Sequence, residues 1–273
     1  MHLSALNLHP VKSLRGFGVG SAEIDDLGFA GDRRFLVVDS AGAFLTQRTV
    51  ARMAQVATAI DATTLTLRSE GFGEIHVGRQ PDPQSPLVSV QVWKSEGLKA
   101  EDCGPQPADW LSRVLGLPCR LVRIGPAFSR PVRPGTARPG DRVHFADAFP
   151  LLVIGEASRR EMNDRIIEAG GEPVPMDRFR TNLVVEGCEP FAEDTWKRIR
   201  IGNVVLRSAG PCLRCVITTT DQQTGIRGKE PLRTLATFRR DPAEPTYVRF
   251  GQNLINESKS GVLRVGDPVE VMD

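Results

Sequence analysis

The stretch 211-PCLRCVITTTD-221 sets two cysteines three residues apart at the head of a β-branched run. A thioredoxin-type dithiol places its first cysteine at a helix N-terminus, where the helix dipole lowers the thiol pKa. Val-Ile-Thr-Thr-Thr is a strand signal instead, and it predicts a strand over 215–221. The same reading extends outward, because the apolar segments elsewhere are short and rich in Val, Ile and Leu, which favours strands over long helices.

Strands are expected at 3–8, 64–69, 74–78, 87–93, 182–187, 198–208 and 262–272, with 34–39 and 44–48 forming a hairpin around 40-SAGA-43. Segment 107-PADWLSRVLG-116 has Pro at its start, an apolar stripe of Trp110, Leu111, Val114 and Leu115, and Gly116 as a stop, which predicts a helix. Segment 149-FPLLVIGEASRREMNDRIIEAG-170 reads as a strand and then a helix capped by Ser158, with Met162 and Ile166 at i, i+4 spacing. The Pro/Arg-rich stretch 125–141 has no apolar period and reads as a long loop. The fold class expected is mainly β with some α, in barrels or sandwiches that leave few open strand edges.

Composition narrows the functions. The 273 residues hold 35 basic and 33 acidic side chains, a net charge of +2 that lacks the concentrated basic face of a nucleic-acid binder. Aromatic residues make up 6%, with a single Tyr, too few for a base-stacking platform. No run approaches the roughly 18 apolar residues of a membrane span, and the N-terminus lacks a signal-peptide core, so a cytoplasmic location is the expectation. Five cysteines, Cys103, Cys119, Cys188, Cys212 and Cys215, are an odd number and read as reduced thiols rather than a disulfide framework.

A structural zinc site needs four ligands, and this chain offers one Cys-x-x-Cys hook with no His pair at ligand spacing. Two buried, inert thiols are a second reading of the pair. A third is a soft thiolate ligand offered to a transition metal that arrives with its own organic chelator. An anionic chelator would need cations and hydroxyls, and three stretches supply them. Lys12 and Ser13 share the glycine-ended loop 9-HPVKSLRG-16. Arg33 and Arg34 adjoin the strand beginning in 31-GDRRF-35, so that one should face a cleft and the other away from it. In 178-RFRTN-182, Arg180 and Asn182 would share one side of an extended segment.

Taken in order, HPVKSLRG, GDRRFLVVD, FLTQR, FPLLVIGEAS, DRFRTNLVVEG, AEDTW, PCLRCVITTTD, GKEPLRTL, FGQNL and VGDPVEV resemble the MOSC superfamily nearly end to end. The resemblance is to proteins that join an N-terminal MOSC-associated β-barrel, here residues 1–122, to a MOSC domain, here 123–273. Its functional counterparts are the mitochondrial amidoxime-reducing component and bacterial proteins like it. What it implies is a molybdenum–molybdopterin cofactor, with molybdenum bound by the pterin dithiolene and by one cysteine, Cys215. By the same match Lys12, Ser13, Arg33, Arg180 and Asn182 would hold the pterin and its phosphate, and Asp147 and Asn253 would be pocket positions. The implied reaction is the two-electron reduction of small N-hydroxylated compounds, with electrons from a separate ferredoxin, flavoprotein or haem carrier. No cysteine follows Cys215, so an internal iron–sulfur cluster is not expected. Pyridoxal phosphate, also associated with the family, has no support in these residues. A competing reading within the family is sulfur transfer through a Cys215 persulfide.

Overall fold

The alternating start of the chain forms β1 (His2–Leu8), which buries Leu3, Leu6 and Leu8. A bulge between Leu3 and Ala5 shifts its pairing, so the inward leucines are spaced three and then two apart. The protein is described by a computed structural model covering residues 1–132 and 136–272. Residues 133–135 of the expected 125–141 loop lie outside the described residues; the rest of that loop carries one bridge, Pro131 to Arg142.

After β2 (Phe17–Val19), β3 (Ser21–Asp25) and β4 (Gly28–Phe29), the N-terminal half builds seven further strands and a helix. These are β5 (Phe35–Val38), β6 (Ala57–Ile60), β7 (Thr64–Ser69), β8 (Gly73–Gly78), β9 (Leu87–Val92), β10 (Ser95–Asp102), α1 (Pro105–Leu115) and β11 (Arg120–Arg123). One sheet runs β5-β11-β10-β9 and another β6-β7-β8. Their shared core takes Val11, Phe35, Leu65 and Leu67 together with the α1 stripe of Trp110, Leu111, Val114 and Leu115. Gly116 ends α1 in the left-handed region at φ 74°, its N–H donating to the Ser112 carbonyl at 2.9 Å.

The C-terminal half contains β12 (Leu151–Gly155), α2 (Glu156–Glu168), β13 (Leu183–Glu186), β14 (Arg198–Ile201), β15 (Val204–Arg214), α3 (Leu232–Phe238), β16 (Val248–Asn256), β17 (Gly261–Arg264) and β18 (Val269–Met272). Its sheet runs β18-β14-β15-β16-β12-β13-β1-β2, so the first strand of the chain completes the second half. The parallel pair β12 and β13 is joined by the crossover helix α2, as parallel strands require. The sheet then curls until its ends meet. Leu3 N–H donates to the Asp267 carbonyl at 2.9 Å, Gly266 N–H to Leu3 at 2.8 Å, and Val269 N–H to Met1 at 3.0 Å, tying β1 to the start of β18. Inside that barrel lie Leu3, Leu6, Leu151, Val153, Leu183, Ile199, Leu206 and Leu254. The protein is therefore mainly β, with three α-helices among the described residues.

Six expectations need correction. The strands expected at 198–208 and 262–272 are each two, β14 and β15 in the first case and β17 and β18 in the second. Residues 215–221 are not a strand: β15 stops at Arg214, and Val216–Thr219 is a 3-10 turn. The threonines cause this, since Thr218 Oγ1 donates to the Cys215 carbonyl at 3.0 Å and Thr219 Oγ1 to that of Val216 at 2.8 Å. Ser158 does not cap α2. Gly155 is the N-cap, and Ser158 Oγ donates to Glu193 at 2.8 Å and accepts from Phe191 N–H at 2.7 Å. The 178–180 segment is not extended, because Met176–Phe179 is a 3-10 turn and Arg180 is left-handed at φ 54°. Finally, the 34–48 hairpin survives as β5 and one bridge from Val38 to Phe44, after which the chain turns between Thr46 and Val50.

Candidate functional site

A cavity of about 720 Å³ opens where loops of the N-terminal half face the mouth of the C-terminal barrel, and Lys12, Ser13, Arg33, Asp147, Arg180, Asn182, Cys215 and Asn253 all line it. These residues come from segments far apart in the chain, and the fold brings every one of them to this wall.

The floor is a polar bracket. Arg33, left-handed at φ 46°, pairs with the fully buried Asp32 and donates from Nη1 to Asn182 Oδ1 and from Nη2 to the Arg180 carbonyl, both at 3.0 Å. Asn182 also donates from Nδ2 to Asn7 O and Asp32 Oδ2, each at 3.2 Å, and its Oδ1 accepts from Leu152 N–H at 3.3 Å. Both ends of that amide are thus engaged within the protein. Arg33 and Asn182 accordingly fix the backbone that aims Arg180. Arg34 turns away to Asp25, at 2.7 Å from both carboxylate oxygens, as the alternation requires.

Cations dominate the rest of the wall. Lys12 is buried and pairs with Asp147, which also accepts from Arg48 Nη2 at 3.0 Å. Burial lowers the Lys12 pKa; Asp147 opposes this and Arg130 and Arg48 add to it, leaving about 8. Burial would raise the Asp147 carboxyl, but Lys12 and Arg48 outweigh it and hold the group well below the usual carboxylate range. Arg130 steadies the loop carrying Asp147, donating to the carbonyls of His144 at 2.9 Å and Asp147 at 2.8 Å. Arg180 is brought down to about 9, by burial first and then by Arg33. Its Nη1 donates to the Leu14 carbonyl at 2.6 Å, and its buried Nη2 has no hydrogen-bond partner.

Cys215 stands at the junction of β15 and the 3-10 turn. Its carbonyl accepts from Thr218 N–H at 3.1 Å as well as from the Thr218 hydroxyl, which locks the residue in place. Cys212 faces the same cavity, with Arg214 Nη1 at 2.8 Å from its sulfur; Arg214 Nη2 donates to the Phe179 carbonyl at 2.6 Å. Asn253 on β16 donates to the Pro211 carbonyl at 3.1 Å and so braces the β15 segment that leads to both thiols. Ser13, left-handed at φ 65°, is anchored through its carbonyl by Gln47 Nε2 at 2.8 Å. Arg48 and Arg214 were absent from the sequence reading. No motif marks either: Arg48 falls in the expected strand 44–48, and Arg214 lies between the two cysteines.

The arrangement suits a large anionic group bearing a metal. Among the described residues no group of three His, Cys, Asp or Glu side chains could hold an ion, so a metal here must bring most of its own ligands. A buried donor without a partner, Arg180 Nη2, lines a wall whose carboxylate Asp147 already faces two cations.

A family model described as the MOSC N-terminal beta barrel domain matches residues 1–118, and one described as the MOSC domain matches 140–270. The chain is 34% identical to mitochondrial amidoxime-reducing component 1 of Mus musculus over 99% of its own length and 82% of that protein. Identity to the Homo sapiens protein of that name is also 34%, with the same coverage of each chain. The YUAD protein of Bacillus subtilis, a solved structure, overlays with a TM-score of 0.41 at 11% identity over 98% of this chain and 93% of that one. The chain belongs to the MOSC family, with the MOSC N-terminal barrel and the MOSC domain in succession.

Proposed function

We propose that the chain, as an N-terminal domain of residues 1–122 and a MOSC domain of 123–273, binds a molybdenum–molybdopterin cofactor and reduces small N-hydroxylated compounds. The observation that carries this reading is the immobilised thiol of Cys215, set with Cys212 in a cationic cavity where no group of three His, Cys, Asp or Glu side chains among the described residues could hold an ion. The names of the relatives, amidoxime-reducing components, support the substrate class. When bound, the cofactor supplies the two-electron redox change, and the dithiolene sulfurs complete the ligand set begun by Cys215.

The protein's own work is binding and orientation. Cys215 offers the thiolate. Lys12, Ser13 and Arg180 would hold the pterin and its phosphate, and Lys12, with a pKa of about 8, carries its charge at neutral pH. Arg33 and Asn182 act one step back, holding the Arg180 turn. Asp147 balances the cations, and Asn253 braces the Cys215 segment. Electrons come from a separate carrier protein. No helix among the described residues is long and apolar enough to cross a membrane. The compartment we propose is the cytoplasm; the relatives named above are called mitochondrial.

Turnover of benzamidoxime to benzamidine with an artificial reductant tests the reaction class, using protein made in cells that synthesise the cofactor. Molybdenum-loaded protein that reduces no N–O substrate would overturn it. A persulfide on Cys215 with no bound pterin would favour sulfur transfer instead.

A further inference from the structure

Arg48 lines the cavity, and the roles above leave it without one. Its backbone is clamped: Arg48 N–H donates to Thr46 Oγ1 at 3.0 Å, and its carbonyl accepts from Arg227 Nη2 at 2.7 Å. Its guanidinium lies over the Trp93 ring at 4.6 Å, and Trp93 packs edge-on against Phe44 with centroids 5.1 Å apart. The ring and the Asp147 bond together restrict the guanidinium. Its edge meets Asp147 through Nη2 and is paired with the Cys215 side chain by charge and by a hydrogen bond.

The other cations are differently occupied. Arg33 is engaged by Asp32, Asn182 and the Arg180 carbonyl, and Arg214 by Cys212 and the Phe179 carbonyl. Lys12 is held by Asp147 deeper in the wall, its side chain 6% exposed against 23% for Arg48. Arg48 is thus a partly exposed cation paired directly with the Cys215 thiol.

On the reading that this is an N–O reductase, we propose that Arg48 is a catalytic residue that stabilises the oxygen leaving the N–O bond. In the balanced step an amidoxime R–C(NH2)=N–OH takes two electrons, drawn from the carrier protein or an artificial reductant, and two protons. The N–O bond breaks, an N–H bond forms on the amidine, and the oxygen leaves as water. As the electron pair goes to oxygen, negative charge develops there, and a preorganised guanidinium meets it without reorganisation. Arg48 gives up no proton in this scheme; both come from solvent.

The test uses molybdenum-loaded wild-type, Arg48→Gln and Arg48→Lys protein. Arg48→Gln lowers kcat by about 100-fold or more, with molybdenum content unchanged and an intermediate rate for the lysine variant. A second readout needs no turnover. In calorimetric titration of the oxidised protein, wild type binds benzamidoxime more tightly than benzamidine, and Arg48→Gln loses that preference. Molybdenum lost with Arg48→Gln would overturn the proposal, because the residue would then anchor the cofactor. A kcat within about threefold of wild type, with the hydroxyl preference intact, would overturn it equally. Wild-type protein that holds no molybdenum or reduces no N–O compound would bring down the proposed function itself, and that failure is read before any variant is made.

Discussion

Replacing Lys12 with methionine is expected to stabilise the cofactor-free protein at pH 7 while weakening its hold on anions. Lys12 is 5% exposed, and its pKa falls from the ordinary 10.5 to about 8 even with Asp147 beside it. At 1.36 kcal/mol for each tenfold change in proton affinity, keeping that ammonium charged in the fold costs about 3 kcal/mol. Methionine has a similar length and no charge, so Lys12→Met removes the cost; Asp147 keeps Arg48 as partner and reaches solvent on its other side. The pH dependence follows with a definite sign. Between pH 8 and 10.5 the folded chain has released the Lys12 proton while the unfolded chain retains it, so stability rises with pH across that window. Urea unfolding at intervals from pH 7 to 10.5 should show the rise in wild type and its absence in Lys12→Met, whose midpoint at pH 7 should be the higher of the two. A lower midpoint for the variant at pH 7, or the same slope in both proteins, would refute the reasoning.

Inorganic phosphate binding to the cofactor-free protein should weaken as the pH rises through about 8, where Lys12 loses its charge, and titration of Lys12→Met should show no such step. Ser158→Ala leaves the Phe191 N–H and a carboxylate oxygen of the buried Glu193 unpaired, a loss of about 2–3 kcal/mol by urea unfolding; a change under about 0.5 kcal/mol would contradict this account of the α2 entry. Gly251→Ala puts a Cβ 2.6 Å from Ile154 Cγ1 and 2.8 Å from the Val153 carbonyl at φ +79°, where strain adds to the clash. A fall of at least about 2 kcal/mol in unfolding free energy is expected there, and stability equal to wild type would show that β16 can retreat from β12.

Much of the fold was legible because half-buried strands and the α1 stripe print their period on the sequence. β7, β8 and β9 fall within a residue of expectation, and α1 ends at Gly116 as its stop signal implied. β10 was missed because 95-SEGLKAED-102 carries charges at four of its eight positions and buries only Leu98, Ala100 and the charged Glu101. β-Branching at 216–219 signalled a strand, yet threonine hydroxyls bonded back to the preceding carbonyls and made a turn. The site was legible as residue types: thiol, lysine and arginines on separate loops. Their division of labour was not. Period-two logic put Arg180 and Asn182 on one extended face, whereas a left-handed Arg180 and the Arg33 bracket bring them together by another route. Arg48 could not be read at all, because its environment is made by Trp93, Asp147 and Cys215, which are distant in sequence.

Metal analysis tests the central claim most directly. Wild-type chain and the Cys212→Ala and Cys215→Ala variants, made in cells able to synthesise the cofactor, are assayed for molybdenum and zinc per chain. The account predicts close to one molybdenum per chain in wild type and in Cys212→Ala, and loss of the metal in Cys215→Ala. Protein without molybdenum, zinc in its place, or molybdenum retained by Cys215→Ala would contradict it.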